Sequence, residues 1–134
     1  MAAGVFLYNL LDLKRTIWEG PQLGAGKHTI RFALEYDGPG FGKGGTGTLF
    51  VDGAKVHKKS MEHTTPIMFP EDEIFDAGLD TRTPLALVEY RYDVPFGFTG
   101  KIDKLTFDLG PVQYTEQEQK DLPAIRDRVA RAKE

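Results

Sequence analysis

The sequence predicts an all-β fold, an antiparallel β-sandwich of jelly-roll or concanavalin-like character with one α-helix at the C-terminus. Fifteen glycines, eight prolines, nine phenylalanines and five tyrosines favour strands joined by many turns over a helical bundle. Residues 27–36 alternate apolar and polar side chains, as a half-buried antiparallel strand does. Asp52-Gly53 is a strong hairpin signal, because a type I′ turn needs positive φ at both central positions.

Five strands are predicted in the first half of the chain. "GVFLYN" (residues 4–9) is apolar on both faces, which predicts a central strand, and "KRTIWE" (14–19) predicts a second. The third covers residues 27–36, and strands at 46–51 and 55–62 flank the hairpin turn. The apolar side chains on one face of the third strand are Ile30, Phe32, Leu34 and Tyr36.

The second half is less regular, because four prolines interrupt residues 64–95. We predict a short strand near 66–69 and a loop through "FDAGLDTRTPL", residues 75–85. A last strand is predicted in "FTGKIDKLTFDLG" (98–110), with a bulge or bend near Asp103 where the alternation changes phase. Its apolar residues on one face are Leu105, Phe107 and Leu109.

The C-terminal tail predicts a helix. Thr115 and Glu118 form a capping box in "TEQE". Pro123 would remove a hydrogen bond from a helix interior, which favours a second start at Asp121. The apolar stripe of the helix consists of Leu122, Ile125 and Val129. We therefore expect a β-sandwich domain over 1–112 and a helix over 113–134 that packs on this domain or extends from it.

Composition excludes several classes of protein. Seventeen basic and twenty acidic residues give a net charge near zero, so we expect no nucleic-acid partner. No apolar run approaches the roughly 20 residues that a membrane span needs. The N-terminal apolar stretch has no basic residue before it and no clear cleavage site after it, so we expect no signal peptide and a soluble domain. The absence of cysteine excludes disulfides and a cysteine nucleophile.

The stretch "GPGFGKGG" (38–45) matches the GxGxxG spacing of phosphate-binding loops from Gly40 to Gly45. Such loops bind an anion because their amides converge on it at the start of a helix. Here the stretch lies between two predicted strands, and no predicted helix begins within reach of Gly45. We therefore predict a connection between strands, with Phe41 and Lys43 as candidate ligand or interface residues.

Two further groups of side chains are candidates for binding. Asp76 and Asp80 in "EDEIFDAGLD" are weak candidates for a calcium site, although the spacing differs from an EF-hand and favours a solvated acidic loop. Tyr90 and Tyr92 share a strand parity, so they could stack a sugar ring or pack at an interface.

No arrangement of residues predicts catalysis. Of the histidines His28, His57 and His63, the last two share a strand parity and are expected to be exposed strand residues. His57 and His63 are separated by about 20 Å on an extended strand, too far apart for one metal ion. No serine stands in a GxSxG elbow. The sequence therefore predicts no catalytic residue and no metal or cofactor site of its own.

The segment "GKHTIRFALEYDGPGFGKGGTGTLFVDGAKV" resembles one found behind the catalytic domain of large arylsulfatases. There "GKHT", a "YDG" corner, a "GKGGT" loop and a "LxVDG" hairpin follow in this order, as they do here. Further matches are Tyr8-Asn9, "FDAGLDTRTPL", "VPFGFTGKIDKLTFDL" and the "TEQEQ" tail. The resemblance covers nearly the whole chain.

The resemblance implies an accessory role. Type I sulfatases use a CxPSR cysteine converted to formylglycine, beside a calcium or magnesium ion in an α/β domain. This chain has no cysteine, so it resembles the non-catalytic C-terminal portion alone, with a structural or substrate-access role and that catalytic domain as its partner. Family members carry extra strands before the position of Tyr8, so a free sheet edge that pairs with a second copy is also expected. The cellular location is left open, cytoplasmic or periplasmic. The alternative function is a lectin-like carbohydrate-binding module.

Overall fold

The computed structural model describes residues 2–66, 75–81 and 92–132. These residues form antiparallel sheets and one C-terminal helix, as the sequence predicts. The chain divides into two compact units: residues 1–68 with 113–134 form the first unit, and residues 69–112 form the second. The domain boundaries expected from the sequence stay a prediction.

A hairpin begins the first unit. Strands β1 (Ala2–Leu10) and β2 (Lys14–Leu23) pair antiparallel. In the turn between them, the amide N–H of Asp12 donates to Asn9 Oδ1 at 2.9 Å. Among the described residues β1 pairs with β2 alone, so the predicted central position is not observed there. An apolar run shows that side chains are available for burial, but it does not give the number of neighbouring strands.

The second sheet of this unit has three strands in the order β3 (Ile30–Tyr36), β4 (Gly45–Val51) and β5 (Ala54–Met61). The predicted hairpin turn joins β4 to β5, with φ of 49° at Asp52 and 82° at Gly53. All three strands were predicted, but β3 begins three residues later than expected. The reason is local: the His28 ring and the Thr29 N–H bond to the Asp52 side chain, and Thr29 keeps only its carbonyl bond to the Asp52 N–H.

The two sheets of the first unit pack against each other around Trp18. Trp18 and Leu49 are fully buried, with Met61 beside them. The rings of Phe6 and Phe32 stack with centroids 3.6 Å apart, and both meet the indole edge-on. Trp18 Nε1–H donates to the carbonyl of Gly47 at 2.9 Å, which satisfies the buried indole N–H. The described sheets are small and unclosed, so the complete sandwich stays a prediction.

The second unit has little regular structure among its described residues. Strands β6 (Leu79–Asp80) and β7 (Phe96–Gly97) pair over two residues. The predicted last strand over 98–110 is wrong: residues 98–112 lie in no helix or strand, and the bulge near Asp103 goes with it. Alternation produces a strand only where a neighbouring strand takes its backbone hydrogen bonds, and among the described residues only the Phe98 N–H finds such a partner, the Gly78 carbonyl at 2.8 Å. Of the predicted strand near 66–69, only Pro66 is among the described residues. Of the predicted loop at 75–85, residues 82–85 lie outside the described residues.

The helix α1 (Glu116–Arg131) belongs to the first unit. Its capping box is confirmed, since Glu118 N–H donates to Thr115 Oγ1 at 3.2 Å and Thr115 N–H to Glu118 Oε2 at 2.8 Å. The predicted second start at Asp121 is wrong, because α1 continues through Pro123. The three predicted stripe residues are half-buried and lie on both sides of the proline. Within the described residues, no helix reaches the length and hydropathy that a membrane span requires.

Candidate functional site

The residues 37–44, which we call the glycine loop, connect β3 to β4. The loop closes on itself where the Asp37 N–H donates to the Gly44 carbonyl at 3.0 Å. At Gly44 the chain runs against the end of β5, and a Cβ there would lie 2.3 Å from the carbonyl oxygen of Met61. Only glycine fits at this position, so the exit of the loop is fixed by close backbone approach.

Tyr36 and Thr64 hold the glycine loop from the side of the sheet. The Tyr36 hydroxyl donates to the Gly40 carbonyl and accepts from the Lys43 N–H at 3.0 Å. The buried Thr64 hydroxyl donates to the Lys43 carbonyl at 2.7 Å. These bonds satisfy polar groups of the loop with partners from its own unit.

The start of α1 holds the same loop from the other side. The Phe41 N–H donates to Glu118 Oε1 at 2.8 Å, and the Gly40 N–H donates to the Gln113 carbonyl at 2.9 Å. The half-buried Phe41 ring meets Tyr114 edge-on, with ring centroids 4.9 Å apart. One carboxylate, that of Glu118, therefore caps the helix and binds the loop.

Glu118 also sets the electrostatics of the loop. Its pKa lies below the ordinary value, because the Thr115 and Phe41 N–H groups bond the charged form and Lys43 lies near it. The expectation that no helix begins within reach of the loop is wrong, since α1 comes back to it from much later in the chain. The anion that meets the loop is nevertheless the protein's own carboxylate. The amides of Gly40, Phe41 and Lys43 are bonded internally, which supports the prediction that the loop is not a phosphate cradle.

The predicted interface residues are placed as follows. Phe41 packs within its own unit, whereas the side chain of Lys43 is exposed. In the second unit, the hydroxyl of the half-buried Tyr92 donates to Asp80 Oδ2 at 2.5 Å, and its ring lies 5.3 Å from that of Phe96. Tyr90 lies outside the described residues. These contacts give the sugar platform no specific support, and it stays a prediction.

Asp76 and Asp80, the two candidate calcium ligands, bind different hydroxyl groups within the second unit. The Thr81 hydroxyl donates to Asp76 Oδ2 at 2.9 Å, and Asp80 accepts from Tyr92. Calcium takes six to eight oxygen ligands, and two carboxylates that each bind a hydroxyl do not supply them. In the described part of the chain, no three His, Asp or Glu side chains form a group that could hold a metal ion.

A second polar cluster, which sequence reasoning missed, joins His28 to Asp52 at the hairpin turn. His28 Nδ1 lies 2.8 Å from Asp52 Oδ2, and Nε2 lies 2.9 Å from the Gly24 carbonyl oxygen. The Thr29 N–H donates to Asp52 Oδ1 at 2.8 Å, and the Asp52 N–H donates back to the Thr29 carbonyl at 2.8 Å. This cluster fixes the entry to β3 against the β4–β5 turn.

Both ring nitrogens of His28 face oxygens that only accept, so the doubly protonated imidazolium fits the site best. The hydrogen bonds to Asp52 and to the Gly24 carbonyl raise the pKa of His28. The bond from His28, followed by that from the Thr29 N–H, lowers the pKa of Asp52. The sequence alone assigned no partner to His28. The register of β3 with β4 could have indicated the His28–Asp52 pair, because pairing Ile30 with Val51 places Thr29 opposite Asp52.

Comparisons of this chain with protein-family models, with curated proteins and with solved structures find no match. The likeness to an arylsulfatase accessory region therefore depends on the residues and motifs of this chain alone.

Proposed function

We propose that this chain is a non-catalytic accessory module of an arylsulfatase-type sulfuric ester hydrolase, with a structural or substrate-access role. One observation carries the proposal: the residues of the shared motifs bond to each other and to the backbone. His28 of "GKHT" pairs with Asp52 of "VDG", and Tyr36 of "YDG" bonds to the loop that ends at Gly44 of "GKGGT". Motif residues used in this way build a scaffold and leave the chemistry to a partner.

The charge at the glycine loop supports a role without catalysis. Stabilising a sulfate ester in its transition state requires donors and positive charge that converge on the reacting oxygens. At this loop the Phe41 amide already binds Glu118, whose carboxylate would repel a sulfate group. The exposed side of the loop, with Lys43, is then a surface that the catalytic domain can contact.

The finer fold is part of the same proposal. The two sheets packed around Trp18 form the start of a β-sandwich of jelly-roll or concanavalin-like character. Further strands at the free edges would complete it, and these strands would come from the parent protein or from a second copy.

The test is reconstitution. An arylsulfatase catalytic region that lacks its own C-terminal portion is mixed with this chain, and thermal stability and aryl sulfate turnover are measured. We expect no turnover by this chain alone, and a raised melting temperature or turnover rate for the mixture. The matched control is Trp18→Ala, which removes the core of the first unit and should abolish the effect. Turnover by this chain alone, or no change in the mixture, would contradict the proposal.

A further inference from the structure

Strand β3 lies at an edge of its sheet in the described part of the chain, where no residue pairs with its outer side. Ile30 is 50% exposed and Leu34 43% exposed, although both share the strand parity of Phe32, which packs in the core. Apolar residues at a free edge favour the addition of another strand.

The opposite edge of the sheet differs. On β5, His57 Nδ1 accepts from the Glu19 N–H at 2.9 Å, and Lys59 Nζ donates to the Ile17 carbonyl at 3.1 Å. Lysines at 55, 58 and 59 add the charge that discourages pairing with another strand. Of the two edges, β3 is therefore the one open to addition.

A segment suited to that edge lies in the second unit. Residues 104–109, "KLTFDL", alternate like a strand yet lie in no strand. Leu105, Phe107 and Leu109 are 55%, 65% and 84% exposed. Phe107 contacts Phe75 edge-on, but both rings remain largely exposed. The segment has an apolar face and a backbone with no strand partner among the described residues.

The two sequences complement each other in one antiparallel register. That register places Arg31 opposite Asp108 and Glu35 opposite Lys104, so both charged cross-strand pairs are of opposite sign. The apolar pairs of the same register are Ile30 with Leu109, Phe32 with Phe107, and Leu34 with Leu105. We propose that residues 104–109 of one copy pair antiparallel with β3 of a second copy, and that the exchange is reciprocal.

Chain length argues for a second copy instead of the same chain. The Gln113 carbonyl accepts from Gly40, in the loop that follows Tyr36, so residue 113 lies at the Tyr36 end of β3. In the antiparallel register Leu109 lies at the other end, six residue steps or about 20 Å away. The four residue steps from Leu109 to Gln113 reach at most about 14 Å. A chain therefore cannot use this register on itself while the Gly40 bond is intact.

The parallel register, which chain length would allow within one copy, has the wrong charges. It places Asp108 opposite Glu35 and Lys104 opposite Arg31, so both pairs repel. A two-fold exchange between copies closes on itself, satisfies both strand edges and produces a dimer.

Disulfide trapping tests the register, because the chain has no cysteine of its own. Ala33→Cys and Thr106→Cys face each other in the proposed pairing, at a separation that a disulfide spans. Mixing the two single variants under mild oxidation should produce a disulfide-linked heterodimer. Ser60→Cys on β5 replaces Ala33→Cys as the control and should remain unlinked to Thr106→Cys. An internal disulfide in the dilute double variant, or equal linking of the control, would overturn the proposal.

Charge reversal tests the pairing without a covalent bond. Sedimentation equilibrium on the full chain should show a concentration-dependent dimer. Arg31→Glu or Asp108→Lys alone should weaken the dimer about threefold to tenfold, and the double variant should restore it toward the starting value. Circular dichroism checks that each variant folds, since both side chains are exposed. A monomer up to millimolar protein, open-ended oligomers, or a double variant as weak as the sum of the singles would contradict the reciprocal dimer.

Discussion

In the first unit Trp18 and Leu49 are fully buried beneath long paired strands, whereas in the described part of the second unit the paired strands are two residues long and Phe107 and Leu109 are exposed. Both units contain alternating apolar segments, so the difference does not come from hydrophobic content. The first unit has two hairpins with tight turns, which bring partners together at small entropic cost. In the second unit β6 and β7 are separated by fifteen residues, from 81 to 95, and closing such a connection costs more.

The helix α1 shows how the first unit also acquires a long-range contact. The Glu118 carboxylate accepts one bond inside its own capping box and one from Phe41, 77 positions earlier in the chain. The capping box thus holds the Glu118 carboxylate in a fixed position, where it also accepts a hydrogen bond from a loop that is distant in sequence. No described residue provides residues 104–109 with a comparable long-range hydrogen bond. In the proposed dimer, β3 of a second copy would provide the missing partner.

The largest effect is expected from removing the core of the first unit. Trp18→Ala should lower the free energy of unfolding by about 3–5 kcal/mol, because it deletes a fully buried ring and leaves a cavity. Leu109→Ala in the second unit should cost less than about 0.5 kcal/mol in dilute protein, because that side chain is exposed. Urea unfolding followed by circular dichroism measures both. Equal losses would mean that the two units share one core.

Sequence reasoning succeeded where structure depends on near neighbours. The Asp52-Gly53 turn fixed the pairing of β4 with β5, and Thr115 with Glu118 marked the start of α1. It failed for residues 98–110, where the alternation is present but the strand that would pair with it is not among the described residues. A pattern of alternating side chains specifies which face of a strand can be buried. It does not specify which other strand pairs with it, because that depends on tertiary structure.

The same limit explains the candidate site. The glycine loop was correctly located between two strands, yet its contacts with Gln113 and Glu118 could not be predicted from its own residues. The His28–Asp52 pair was within reach, because the hairpin register places their neighbours opposite each other. Both residues lie in the motifs that suggested an arylsulfatase accessory region, but Asp52 had been given a role only in the turn and His28 had been given none.

A smaller effect is expected at the contact between the glycine loop and α1. Glu118→Gln keeps one oxygen acceptor but loses the second and the charge, so the Phe41 and Thr115 amides should exchange with solvent several-fold faster. Because the pKa of Glu118 is lowered, its contribution to stability is present above the unfolded value of about 4.3 and is lost as the pH falls through the folded pKa. Amide exchange measured by NMR at several pH values tests both statements. Glu116→Gln, in the same helical turn, is the matched control, and an equal effect there would contradict a specific role for Glu118.

The smallest effect is expected at the hairpin turn, where Asp52→Asn removes one charge and leaves the turn intact. Asparagine accepts the positive φ of this position and can still accept from the Thr29 N–H. The stabilisation from His28 is fully present below its unfolded pKa of about 6.5 and is lost as the pH rises through the raised folded pKa. That from Asp52 is present above its unfolded pKa of about 3.9 and is lost as the pH falls through the lowered folded pKa.

Both contributions of this pair are therefore present together between about pH 4 and pH 6.5. In Asp52→Asn the pKa of His28, measured by NMR titration of its ring protons, should fall, because the largest cause of its rise is the bond to the carboxylate. The melting temperature should then depend less on pH above 6.5 than it does in the parent chain. His63→Gln changes an exposed histidine outside this cluster and should leave that pH dependence as it is. An unchanged His28 pKa in Asp52→Asn would show that the Gly24 carbonyl alone holds the proton. The contact between the turn and the start of β3 would then depend on the hydrogen bond from the Asp52 N–H to the Thr29 carbonyl, without a contribution from charge.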